Sequence, residues 1–371
     1  MNETARIILN KINENGFQAY LVGGYPRDLY LGRISTDFDI CTNATPKDLT
    51  EIFGDVKQHL EQYGSVTVYL NDFRFEITTF RKDIKYINNR KPIEIEYINN
   101  LEDDLKRRDF TMNTMCLDKD GNLIDLLNGK QDIDNGLIKT VGDADKKISE
   151  DSLRILRAIR FATVLNFKLD NALKVAIVNN KDLLKSLSYY RKKEELDKIF
   201  SNANSKYGIN LIRELGLSDA LELSNINSIV STTYPIGIWA QLNCVGKYDF
   251  NKTEKDTIYK INELMDKDLL DNNNLYKYGL YVSTIVGEIK GIDVKIINEA
   301  YNNLYIHNKT EIKIEPEEIC EILNKRPGKY LKEILNDIEY KLVNKELEND
   351  NNVLRTYIIN SYCNFKNNDI Q

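Results

Sequence analysis

The rhythm of hydrophobic and polar residues changes near Ser149. Before it, short apolar runs and strict alternation dominate. AYLVGG (19–24) is an apolar run that stops at paired glycines, and DFDI (37–40) alternates. SVTVYLNDFRFEITTF (65–80) predicts a β-hairpin: Val66, Val68 and Leu70 alternate, Asn71-Asp72 supply the turn, and Phe73, Phe75 and Ile77 resume the alternation. NLIDLLNG, after an Asp120-Gly121 turn, predicts another short strand and loop. Beyond Ser149 the period becomes helical. SEDSLRILRAIRFATVL is expected to open with a serine N-cap at Ser149 and acidic residues in its first turn, with Leu153, Leu156 and Ile159 at helical spacing. NKRPGKYLKEIL (324–335) places a Pro-Gly break before a further amphipathic helix. The pattern predicts an α+β or α/β head followed by an almost wholly helical remainder.

Composition narrows the class. The chain has 371 residues, long enough for two or three folding units, with 42% hydrophobic and 29% charged residues. No run approaches the roughly 20 apolar residues of a membrane span, and MNETARIILN lacks the basic and apolar regions of a signal peptide, so a cytoplasmic protein is expected. The five cysteines (Cys41, Cys116, Cys244, Cys320, Cys363) are far apart and read as small buried hydrophobes. Two histidines, His59 and His307, exclude a histidine-rich metal site. The net charge of −6 argues against nucleic-acid binding as a bulk property but leaves room for a local basic face.

The candidate chemistry begins in GGYPRDLYLGRISTDFDI (23–40). On a strand, residues i and i+2 share a face, so Asp37 and Asp39 present two carboxylates side by side while Phe38 and Ile40 turn to the core. Such a pair repels unless a cation sits between, and hard oxygen ligands suit Mg²⁺. Gly23 and Gly24 follow the apolar strand and precede a helix expected to begin at Pro26, an arrangement that makes a backbone anion cradle within reach of Arg27. In LKRRDFTMNTM (105–115), Arg107 or Arg108 is a candidate for triphosphate oxygens, with Asp109 orienting one of them. In EDSLRILRAIR, Asp151, Arg154, Arg157 and Arg160 recur every third residue and form a drifting stripe on one helix. An aspartate only accepts and an arginine only donates, so together they match a base edge with an amino donor beside a ring-nitrogen acceptor. Cytosine and adenine present that edge. Guanine and uracil would leave two acceptors facing each other.

These segments, with FEITTFRKDIKYINNRKP (75–92) and KRPGKYLKEIL (325–335), resemble the class II tRNA nucleotidyltransferase/poly(A) polymerase family, and within it the bacterial CCA-adding enzymes. The resemblance implies a polymerase-β-like nucleotidyltransferase head with a mixed sheet and helices (1–145), a helical neck for base recognition (146–205), a helical body (206–310) and a helical tail for tRNA (311–371). It implies Mg²⁺ on Asp37 and Asp39, nucleotide contacts from Gly24, Arg27 and Arg108, and base reading by Asp151 and Arg154 with Arg157 and Arg160 nearby. Glu76 falls where that fold often has a third carboxylate. The implied partners are the acceptor arm and 3′ end of tRNA, with CTP and ATP as substrates and no membrane or protein partner. Pro26, NNRKP and Tyr190 depart from the family pattern. Too few histidines remain for a fused HD phosphohydrolase domain, and the loop residues Asp83, Tyr86, Arg90 and Pro92 speak against an enzyme that adds only CC. An A-adding enzyme, a poly(A) polymerase and a catalytically silent RNA-binding protein remain as alternatives.

Overall fold

The computed structural model describes residues 1–54, 56–60, 64–87 and 91–363. Arg90, and the side chains of His59, Asp83, Tyr86 and Pro92, lie outside what is described. The chain forms two compact units, Met1–Ile226 and Asn227–Gln371. The boundary between them falls inside the stretch 206–310 expected as the body.

The first unit opens with α1 (Glu3–Glu14), β1 (Ala19–Val22), α2 (Gly24–Tyr30), β2 (Phe38–Thr42) and α3 (Pro46–Phe53). Local chemistry sets these ends. Asn2 caps α1, and Thr45 with Asp48 forms a reciprocal capping box that starts α3 with Pro46 in its first turn. Next come β3 (Lys57–Leu60), β4 (Ser65–Leu70), β5 (Phe73–Thr79), β6 (Arg81–Ile87) and β7 (Lys91–Tyr97). The predicted hairpin is present: Leu70 pairs with Phe73 across a two-residue turn whose Asn71 and Asp72 both have positive φ, 48° and 64°. Turns of that hand match the twist of the flanking strands, and Asn and Asp tolerate them best after glycine. The head continues through α4 (Leu101–Lys106), β8 (Cys116–Leu117), β9 (Leu123–Ile124), α5 (Gly129–Asp134) and β10 (Leu137–Ile138).

Seven strands form one mixed sheet in the order β3-β4-β5-β2-β1-β8-β9, while β6 and β7 make a separate antiparallel ribbon. β2 runs antiparallel to β1 and parallel to β5. Leu21, Ile40, Ile77 and Val66 share one cross-strand row in the main core with Ile8, Leu9 and Leu49 from α1 and α3. The adjacent row, Val22, Asp39, Glu76 and Thr67, faces the other way. The α+β reading of the head therefore holds, and the period of two puts Asp39 and Glu76 together on the face away from that core.

Helices then take over: α6 (Ala144–Glu150), α7 (Leu153–Leu165), α8 (Asn171–Asn180), α9 (Tyr189–Phe200) and α10 (Ser205–Glu214), with β11 (Lys168–Leu169) pairing in parallel with β10. Gly208 lets α10 approach closely, since a Cβ there would collide with Thr163 Oγ1 on α7 and lie 2.5 Å from Ile199 Cγ2 on α9.

The second unit is helical. Its core includes Trp239, packed against Tyr248 and Phe250 at ring-centroid distances of 5.0 and 5.4 Å. A separate cluster around Ile306, Ile338, Leu342 and Leu354 ties Tyr330–Val343 to Asn351–Ile358. His307 sits between Tyr301 O (3.1 Å from Nε2) and Glu311 (3.3 Å from Nδ1), a structural placement. Cys41, Cys116 and Cys244 are buried, and Cys320 and Cys363 partly so. Among the described residues no helix is long and apolar enough to cross a membrane.

Candidate active site

Gly23 ends β1 with φ 79° and ψ −126°, a conformation that side chains avoid, and caps α2. The helix thus begins at Gly24, two residues before the expected Pro26, which still falls in the first turn where its missing N–H costs nothing. The absent Cβ also matters, because one at Gly23 would stand 3.2 Å from Asp39 Oδ2. The turn brings the strand end and the carboxylate together.

Asp37 and Asp39 line the same cavity, a hollow of about 600 Å³ that Gly23, Gly24, Arg27, Arg107, Arg108, Asp109, Asp151, Arg154, Arg157 and Arg160 also line. Each of these is a residue that the sequence singles out. Burial, and then the neighbouring Asp37, push the Asp39 carboxyl up to about 6, with Glu76 adding to the effect and Arg108 and Arg157 opposing it. Glu76 is registered against Asp39 across the strand pair, but its carboxylate hydrogen-bonds Arg74 at 3.1 Å and it is not a lining residue. Among the described residues no three His, Cys, Asp or Glu side chains converge as a metal-holding group. Two adjacent carboxylates, one of them resisting ionisation beside the other, nonetheless suit a hard divalent cation that takes its remaining ligands from water and phosphate oxygens.

Arginines surround this acidic edge, and each is held. Arg27, on α2, is buried; it donates Nη1 to Asn113 Oδ1 at 2.7 Å and Nε and Nη2 to Asp28 Oδ1 at 3.0 and 2.8 Å. Arg107 and Arg108 both donate to Asp104, at 2.8 and 3.2 Å, and Asp104 is fully buried. The expected orienting role of Asp109 toward these arginines is not what forms. Asp104 lies on α4, three and four residues before Arg107 at the C-cap and Arg108 just past it, so the end of the helix brings both guanidiniums back onto its carboxylate, whereas Asp109, one residue further on, turns to Arg157. Asp109 Oδ2 accepts from Arg157 Nε at 2.8 Å and Nη2 at 2.5 Å, and Oδ1 accepts from Asn113 Nδ2 at 3.1 Å. Burial pushes the Asp109 carboxyl up, but Arg157 and Asn113 outweigh it and hold it far below the usual range. Arg108 Nε is buried and has no hydrogen-bond partner among the described residues, a donor suited to an anion in the cavity.

The third cluster departs from the expected single helix. Ser149 is not an N-cap: it lies near the end of α6, and Asp151 has extended backbone (φ −144°, ψ 101°) between α6 and α7. Asp151 instead accepts from the backbone N–H of Leu153 at 3.0 Å, so its side chain belongs to the turn that starts α7. Arg154, Arg157 and Arg160 do share α7. Arg154 donates to Lys147 O (2.7 Å), Glu150 (3.0 Å) and Arg107 O (3.2 Å), which ties α7 to the RRD segment. Arg160 lies 2.9 Å from Glu195 on α9. Tyr190, the departure noted in that helix, is exposed and leaves Arg191 paired with Glu194 at 3.0 Å.

Sequence reading misses Asp28, Asp104, Asn113, Phe161 and Glu195. The helical spacing of Asp104 to Arg107 and Arg108 is a usable signal. Asp28, next to Arg27 in the chain, has one as well, whereas Asn113, Phe161 and Glu195 meet their arginines through the fold.

Comparison with known proteins fits this geometry. The family model described as "Poly A polymerase head domain" matches residues 19–139, and that for tRNA nucleotidyltransferase domain 2 matches 246–358. The chain is 30% identical to the CCA-adding enzyme of Staphylococcus aureus (strain MRSA252), over 96% of this chain and 98% of the relative. It is 32% identical to that of Lactococcus lactis subsp. lactis (strain IL1403), over 93% and 94%. The crystal structure of the Bacillus stearothermophilus CCA-adding enzyme in complex with CTP superposes with a TM-score of 0.80 at 28% identity, covering 97% of this chain and 98% of that one. The Thermotoga maritima CCA-adding enzyme complexed with tRNA shares the fold, with a TM-score of 0.70 at 20% identity. With full-length identity of this order, and a head whose acidic strand edge faces an arginine-lined cavity, the chain belongs to the CCA-adding enzyme family of tRNA nucleotidyltransferases.

Proposed function

We propose that this protein adds C, C and A to the 3′ end of tRNA from CTP and ATP, releasing pyrophosphate, without a nucleic-acid template. The observation that carries the reading is the single cavity shared by the Asp37/Asp39 edge, Arg27 and Arg108, and the Asp151/Arg154 turn. Membership of a family with a CTP-bound relative supports it. The reading takes residues 1–145 as head, 146–205 as neck, 206–310 as body and 311–371 as tail, and it places the protein in the cytoplasm.

In this reading Asp37 and Asp39 would hold a divalent cation, Mg²⁺, with Glu76 as a neighbouring carboxylate that deepens the negative field. A cation held there would offset the repulsion of the paired carboxylates and would supply Lewis-acid activation for attack of the RNA 3′-hydroxyl on the α-phosphate. Arg27 and Arg108, with Arg107 beside them, clamp the triphosphate and offset charge on the departing pyrophosphate. Gly23 and Gly24 let the backbone approach the nucleotide. Asp151 accepts from the exocyclic amine of cytosine or adenine while Arg154 donates to the adjacent ring nitrogen, so the protein itself replaces a template strand. Asp109 fixes Arg157, and Glu195 neighbours Arg160, holding the two cations beside the bound nucleotide.

Extension of a tRNA transcript lacking its 3′ CCA tests the reading on a sequencing gel, with CTP alone, ATP alone, or both. Two additions from CTP and a third only with ATP are expected. Extension only of transcripts already ending in CC, with CTP ignored, would make it an A-adding enzyme. Long ATP-dependent tails would make it a poly(A) polymerase, and tRNA binding without any extension a silent RNA-binding protein.

A further inference from the structure

Phe161, on α7, is the apolar exception in a charged cavity. Three guanidinium carbons surround its ring: Arg160 Cζ lies 4.3 Å from the centroid, Arg27 Cζ 5.1 Å and Arg157 Cζ 5.4 Å. Arg27 comes from α2 and the other two from α7, so the ring is the point at which arginines of the two segments meet. Like charges this close repel. Carboxylates answer part of that repulsion, through Asp28 on Arg27, Asp109 on Arg157 and Glu195 beside Arg160. The electron-rich ring answers more of it, because the quadrupole of a benzene face attracts cations from either side. The ring's own orientation comes from outside the cluster. Phe110, fully buried, meets it edge-on at 5.8 Å and 82°.

We propose that Phe161 is a positioning residue whose π face holds Arg27, Arg157 and Arg160 in one constellation, so that nucleotide affinity follows the electron density of the ring and not its volume alone. The inference rests on the reading of these arginines as nucleotide contacts and deepens it. A leucine would fill the space without drawing the guanidiniums together. A fluorinated phenylalanine keeps nearly the same shape while weakening the attraction step by step.

Full-length protein carrying mono-, di- and trifluorinated phenylalanine at position 161 tests this, with binding of CTP and of ATP followed by calorimetry in the presence of Mg²⁺. KM and kcat for tRNA extension and the melting temperature are recorded for each. The dissociation constant is expected to climb with each fluorine, reaching on the order of tenfold for the trifluoro ring. KM should carry more of the change than kcat, at constant melting temperature. Dissociation constants that stay flat across the series, in a protein whose unmodified form binds nucleotide, would reduce Phe161 to a spacer and overturn the inference alone. Failure of the unmodified protein to bind either nucleotide would overturn the nucleotide reading, and this inference with it.

Discussion

Asp109 and Arg157, 48 residues apart in the chain, are joined through a single carboxylate oxygen that accepts from Nε at 2.8 Å and from Nη2 at 2.5 Å. The pair links the RRD segment after α4 to the middle of α7, and so sets where the arginines of α7 stand relative to the Asp39 edge. Asp109→Asn is expected to lower the unfolding free energy at neutral pH by on the order of 3 kcal/mol, because Arg157 loses its counter-charge in a mostly buried place. The Asp109 carboxyl is depressed in the fold, so its contribution is present above the ordinary carboxylate range and disappears as pH falls through the depressed value. Urea titrations of wild type and variant should therefore converge toward acid. Equal midpoints at neutral pH would count against this role.

Asp39 behaves in the opposite sense. Its carboxyl is raised to about 6 by burial, Asp37 and Glu76, so the stability it contributes is present below the ordinary carboxylate range and lost as pH rises through about 6. Without a divalent cation, Asp39→Asn should stabilise the protein by roughly 2 kcal/mol above that value and little below it. Nucleotide transfer should disappear in the same variant, with tRNA affinity retained. Thermal melts across this pH window, with and without Mg²⁺, check the first statement. A variant that still extends tRNA at near wild-type rate would remove Asp39 from the metal role.

Gly23 and Gly24 are adjacent but not equivalent. Gly23→Ala forces a Cβ onto φ 79° and to within 3.2 Å of Asp39 Oδ2, and about 1–3 kcal/mol of strain is expected. At Gly24 the new methyl would meet only Arg27 Nη2 at 3.6 Å, ordinary contact in a helical first turn. The melting temperature should fall for the first variant and hold for the second. Equal losses would mean that the left-handed turn is not what glycine supplies here.

Asp151→Ala removes an acceptor from the turn that starts α7 and from the proposed base-reading edge. Loss of the turn bond should cost about 1 kcal/mol. The more informative effect is on choice among nucleotides: misincorporation of UTP and GTP should rise by more than CTP affinity falls. Competition assays with mixed nucleotides measure it, and unchanged discrimination would shift base reading elsewhere.

Much of this site is legible in the sequence. The two-residue turn at Asn71-Asp72, the inward Phe38 and Ile40, and the outward Asp39 follow from a period of two and from turn chemistry, which act within a few residues, whereas Asp37 lies just before β2 and meets Asp39 only at the cavity. Boundaries and partners are where local pattern misleads. The helical pattern across 149–165 looks continuous, yet extended backbone at Asp151 divides it, and apolar periodicity does not register one extended residue between two helices. Proximity in sequence assigns Asp109 to Arg107 and Arg108, whereas Asp104 takes both of them by helical spacing.

The chain's local order thus determined which residue types stand on which strand and helix, and with them the inventory of acids and arginines from which a nucleotidyltransferase site can be built. Which acid answers which arginine was decided only in three dimensions. Asp109 with Arg157, Arg27 with Asn113, and Phe161 among three guanidiniums all join distant segments. No periodicity encodes such contacts, because a charge buried by folding takes the partner that packing brings within reach, not the one nearest in sequence.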